Sequence, residues 1–113
     1  MRLTSDIWVS ALVRRVFGAG GFAAVERRGA PEAGAIFVRV RHRDGTQILY
    51  GPAPQSVFDS EKPQDRVFEM RCITDASDEI AAALDRELRF DRDLWVVEIE
   101  VERIDDYLTI MPA

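Results

Sequence analysis

Ile36-Phe37-Val38-Arg39-Val40-Arg41-His42-Arg43-Asp44-Gly45-Thr46-Gln47-Ile48-Leu49-Tyr50 is the stretch whose reading decides the fold. Two alternating runs of β-branched, aromatic and charged residues flank Asp44-Gly45, a pair suited to a tight turn because glycine accepts positive φ. The stretch therefore predicts an antiparallel hairpin. A two-residue loop pairs Arg43 with Thr46, Arg41 with Ile48 and Arg39 with Tyr50. Alternation then gives one face with Ile36, Val38, Val40 and Leu49, and another with Phe37, Arg39, Arg41, Arg43, Ile48 and Tyr50. The first reads as core. The second reads as a candidate ligand or partner surface of arginines interleaved with large apolar groups.

Outward from the hairpin, Phe22 to Arg28 reads as a strand and residues 29–34 as a loop leading into a strand from Ala35 to Arg43. Before them, Thr4, Ser5 and Asp6 offer N-caps and Gly18, Gly20 and Gly21 a stop, which predicts a helix over residues 5–19. Its apolar circumference is wide, and Trp8, Leu12 and Val16 make it a candidate for burial at the centre of the fold or against a partner subunit. After the hairpin, Gly51-Pro52-Ala53-Pro54 ends the strand and opens a long loop over residues 51–65. Arg66 to Ile73 alternates as a fourth strand. Thr74, Asp75 and Ser77 compete to cap a second helix ending near Arg89, and Leu94 to Glu102 reads as a strand. Residues 103–113 hold a short last strand, Tyr107 to Met111, or a tail. The order α-β-β-β-β-α-β predicts one α+β domain over residues 1–113, with two helices and a largely antiparallel sheet of four to six strands, because short turns join successive strands.

Charge is divided along the chain. The first fifty residues hold eight Arg against four Asp and Glu, a net of +4, and the remainder holds a net of −9. In a chain this short the two halves fold against each other, and their charge patterns meet. Arg39, Arg41 and Arg43 recur every second residue on one predicted strand, as Glu98, Glu100 and Glu102 do on another, so the two rows match as cross-strand partners. The alternatives are that both rows face water, or that the arginines, with Phe37 and Tyr50, bind an anionic ligand.

Candidate chemistry is sparse. His42 is the only histidine and Cys72 the only cysteine, which excludes an internal disulfide and multi-histidine metal sites and leaves one conceivable Cys–His dyad. Asp91 and Asp93 have the spacing of a divalent-metal pair, but also of a turn that favours Asp without metal. Gly18-Ala19-Gly20-Gly21 follows a helix and leads into a strand, the reverse of a phosphate loop. No cofactor or metal is implied. The absence of an export signal or bilayer-length apolar run predicts a cytoplasmic protein without membrane association, and the acidic total argues against general nucleic-acid binding.

Arg2 to Val9, Gly20 to Val25, Gly34 to Val38, Tyr50 to Pro54 and Phe90 to Glu100 together resemble a family of small bacterial proteins, domain of unknown function family 1491. The resemblance spans nearly the whole chain and implies no reaction and no catalytic residue. The residues alone favour a non-enzymatic domain acting through contacts with another protein or with itself, as a homodimer burying part of the first helix. An anionic-ligand or nucleic-acid module on the arginine face is the alternative, and an enzyme with a cryptic Cys–His or carboxylate site the third reading.

Overall fold

The computed structural model describes residues 3–54 and 66–112. Its elements are α1 (Ser5–Gly18), β1 (Phe22–Arg27), β2 (Ile36–Arg41), β3 (Gln47–Pro52), β4 (Val67–Thr74), α2 (Ser77–Phe90), β5 (Trp95–Glu100), a 3-10 turn at Ile104–Asp106 and β6 (Thr109–Ile110). The six strands form one mixed sheet in the order β1-β5-β2-β3-β4-β6. The α+β class and the element order agree with the sequence. Of the predicted loop, residues 51 and 52 belong to β3, and residues 55–65 lie outside the described residues.

Two physical details differ from the sequence reading. The first is register. His42 N–H donates to the Thr46 carbonyl and Gly45 N–H to the His42 carbonyl, at 2.9 and 3.1 Å, so the loop has three residues, Arg43-Asp44-Gly45. A two-residue type I′ turn needs positive φ at Asp44 as well, and only Gly45 has it, at 93°. Arg39 consequently pairs with Leu49, Val40 with Ile48 and Val38 with Tyr50. This slip of one residue moves Ile48 and Tyr50 to the face opposite the arginines.

The second concerns parallel pairing. β5 inserts between β1 and β2, antiparallel to the former and parallel to the latter, and β6 runs parallel to β4. The β1–β2 connection therefore crosses the start of β5 rather than closing a hairpin. The crossing is tight: a Cβ on Gly29 would lie 2.1 Å from the Asp93 carbonyl oxygen, and one on Gly34 would lie 2.3 Å from it. Ala30 N–H donates to that same oxygen, and the Trp95 indole donates to the Ala30 carbonyl, each at 2.8 Å. The route works because both ends of the loop lack side chains at the contact.

Helices cover both faces. Val9, Leu12 and Val16 of α1 pack with Val38, Val40, Tyr50, Trp95, Val97 and Ile99. On the other side, Ile80, Ala83 and Leu84 of α2 pack with Phe37, Leu49, Leu94 and Val96. β5 is buried on both faces, which is why its residues read as a nearly continuous apolar run. The start of α1 is completed by the β1–β2 loop instead of a side-chain cap: Ser5 and Asp6 N–H donate to the Glu32 and Pro31 carbonyls, and the Ser5 hydroxyl donates to the Gly34 carbonyl at 2.6 Å. The N-cap of α2 is Ala76, and Thr74 folds back to accept from its N–H and to donate to Glu79.

Candidate functional site

Along β2 and β5 the face shared with α2 changes from apolar, at Phe37 and Val96, to charged. Arg39 stands opposite Glu98 in the parallel register. Arg41 Nε pairs with Glu98 Oε1, and Arg39 reaches Glu26 on β1 at 3.1 Å and the Gln47 amide oxygen at 3.0 Å. Gln47 in turn donates to the Ser77 hydroxyl at 2.8 Å, tying the network to the start of α2. The arginine and glutamate rows thus meet on neighbouring strands and are joined by one ion pair, Arg41–Glu98, while Arg39 takes its carboxylate from Glu26, outside the row. Arg43 extends from the turn into solvent and makes no ion pair with a described residue.

The grouping of Phe37, Arg39, Arg41, Arg43, Ile48 and Tyr50 on one face is corrected by the register. Phe37 is buried under α2 with the Arg71 guanidinium 5.4 Å from its ring centroid. Tyr50 is buried on the α1 side, and Ile48 packs at the margin of that same core. Burial, with the Asp105 carboxylate adding to it, pushes the Tyr50 hydroxyl above its ordinary range. On α1, Leu12 and Val16 are 1% and 0% exposed, and Trp8 lies against Phe68 with ring centroids 5.6 Å apart. All three side chains pack on their own sheet, and the outward face of the helix carries Ile7 and Phe17.

Apolar surface is left to solvent at Met70 and Ile73 on β4, at Phe90 ending α2, and at the corner between α1 and β1, where two aromatic rings meet. Gly20, with φ of 87°, sends its N–H to the Phe17 carbonyl while Gly21 N–H returns to Val16, a Schellman stop that turns the chain directly into the strand. This geometry brings Phe17 and Phe22 edge to face at 6.0 Å, yet they remain 53% and 43% exposed. Val25 is exposed on the same strand. Phe22 also lines a groove of about 800 Å³ at the carboxyl ends of β2 and β5, together with Gly20, His42, Arg43, Glu100 and Tyr107. The sequence held one signal for this corner: a glycine stop between two phenylalanines five positions apart fixes how they meet.

The remaining candidates are separate. His42 lines the groove, whereas Cys72 pairs with Leu49 in the sheet and packs against the core under α2, so the dyad is not assembled. Asp91 accepts from the Asp93 N–H at 2.8 Å in a turn. Among the described residues no three His, Cys, Asp or Glu side chains converge as a metal site, and no helix is long and apolar enough to cross a membrane. Two exposed carboxylates are held below their ordinary range: Asp44 by the Thr46 N–H in the hairpin turn, and Asp6 chiefly by the Thr4 hydroxyl.

A mixed sheet between two helices, with an ionic layer inside and an apolar corner outside, defines an α+β domain whose site specifies no reaction. The chain belongs to the family described as "Protein of unknown function (DUF1491)", whose model matches residues 3–109. A protein from A. tumefaciens, known from a solution structure, is 59% identical over 100% of this chain and 98% of its own, with a TM-score of 0.86. A DUF1491 family protein from Caulobacter crescentus is 35% identical in its crystal structure, covering 99% of this chain and 100% of its own, with a TM-score of 0.77. An NMR structure of a DUF1491 family protein from Caulobacter crescentus is 33% identical over 99% of both chains, also with a TM-score of 0.77. No curated protein matches the chain.

Proposed function

We propose that this chain is a cytoplasmic, non-enzymatic contact domain, engaging a protein partner or a second copy through the corner formed by α1 and β1. The observation that carries this reading is the Phe17–Phe22 pair, two large rings in mutual contact and half open to water beside the free edge of a sheet. Aromatic residues, phenylalanine among them, are enriched at the cores of protein interfaces, where each buries a large rigid area. The competing anionic-ligand reading loses force because Arg39 and Arg41 are already engaged by Glu26, Gln47 and Glu98.

A photo-cross-linking residue placed at position 22 in the native host, with position 85 on the solvent face of α2 as control, tests the proposal. A discrete cross-linked protein product is expected from position 22 and not from 85. Equal or absent products at both positions overturn the reading.

A further inference from the structure

One short segment, residues 30–35, is bonded to two elements at once. Toward β5, Ala30 N–H donates to the Asp93 carbonyl and the Trp95 indole to the Ala30 carbonyl, each at 2.8 Å, and Trp95 N–H donates to the Ala35 carbonyl at 2.7 Å. Toward α1, the Glu32 and Pro31 carbonyls accept from Ser5 and Asp6 N–H at 3.1 and 2.9 Å, and the Gly34 carbonyl accepts from the Ser5 hydroxyl at 2.6 Å. Gly34 N–H also donates to the Ala30 carbonyl, at 3.2 Å. The residue that grips β5 and the residue that grips α1 are therefore bonded to each other.

Geometry leaves little room for one set of bonds to hold while the other breaks. A Cβ on Gly29 or Gly34 would lie 2.1 or 2.3 Å from the Asp93 carbonyl oxygen, so the segment already lies as close to β5 as its backbone allows. On the other side, α1 has no side-chain cap and Ser5 is 0% exposed, so departure of the segment strands the Ser5 N–H away from water, a costly state for a backbone donor. We infer that residues 30–35 form a strap through which the first turn of α1 and the start of β5 open and close as one unit, apart from the rest of α1. Proteins open locally in cooperative units of this kind, and the later turns of α1 have their own anchorage, Leu12 and Val16 in the core. The strap has a consequence across the sheet. Asp93 belongs to the turn that follows α2, so a disturbance of that turn on one side of the molecule reaches the helix on the other through backbone hydrogen bonds. Coupling of this sort needs an element with two arrangements that both ends bias, and the engaged and released strap supplies them.

Native-state hydrogen exchange on the full isotopically labelled chain, repeated at several low urea concentrations, tests the strap without any substitution. The amides of Ser5, Asp6, Ala30, Gly34 and Trp95 are expected to share one opening free energy and one urea dependence, both below those of Val38 and Val97 in the middle of the sheet. Two variants then probe it from opposite ends. Ser5→Ala, which removes the hydroxyl bond to Gly34, should speed exchange at Ala30 and Trp95 by the same factor as at Asp6, about fivefold to tenfold for one lost hydrogen bond. Trp95→Phe, which removes the indole donor, should speed exchange at Ser5 and Asp6. Acceleration at Asp6 in Ser5→Ala with unchanged rates at Ala30 and Trp95 overturns the strap. So does exchange of all five amides only together with Val38 and Val97, which makes their opening global, or five unrelated opening free energies in the unsubstituted chain.

Discussion

The ionic layer on β2 and β5 and the aromatic corner at the end of α1 use their side chains in opposite ways. In the first, Arg39, Arg41, Glu98, Glu26 and Gln47 satisfy one another where α2 no longer covers the sheet, so charge is consumed within the chain. In the second, Phe17 and Phe22 touch but leave about half of each ring exposed, so apolar surface is left over. A row of arginines is the feature that attracts a functional reading, yet two of its three members, Arg39 and Arg41, are engaged within the chain. The residues with contact capacity to spare are the less conspicuous phenylalanines.

The comparison can be broken most forcefully on α1 itself. Leu12→Ala removes a side chain that is fully buried and should cost about 2–5 kcal/mol in urea unfolding, whereas Phe17→Ala should cost under about 0.5 kcal/mol. A large loss at Phe17 would mean the corner is structural after all. Gly29→Ala should cost about 2 kcal/mol or more by the same measurement, since its new methyl meets the Asp93 carbonyl; tolerance there would undo the crossing that places β5 between β1 and β2. Next comes the ionic layer, where Glu98→Gln should cost about 0.5–1 kcal/mol at low salt, and nothing further once Arg41→Gln is already present. Additive losses would show the two side chains to be independent.

The smallest effect separates the two faces by pH. The folded Tyr50 hydroxyl holds its proton more tightly than the unfolded one, so its contribution to stability is complete below about pH 10 and is lost as pH rises from there toward the folded pKa. Tyr50→Phe should flatten that alkaline decline in thermal unfolding. An unchanged decline would place Tyr50 in solvent with the arginines, as the two-residue hairpin predicted.

Much of this architecture was readable from local signals. The helix stops, the alternation in β2 and β5 and the complementary charge rows are properties of neighbouring residues, and each predicted element appears within a few positions of its expected ends. What was not readable depended on a single backbone angle or on chain crossing. Negative φ at Asp44 added a third loop residue and carried Ile48 and Tyr50 through the sheet, so the predicted aromatic-arginine face does not form. The insertion of β5 between β1 and β2 is a non-local choice, visible beforehand only as the two glycines bounding residues 29–34. Exposure of Phe17 was hidden for a related reason: a helix apolar around most of its circumference does not announce which side the sheet takes.

The most direct test of the account places a photo-cross-linking residue at position 25 and compares two backgrounds of matched thermal stability, Phe17→Ser and the Arg39→Gln, Arg41→Gln pair. The account predicts that the captured protein product is lost in the first and retained in the second. Retention in the first with loss in the second would assign the contact surface to the arginines and contradict it.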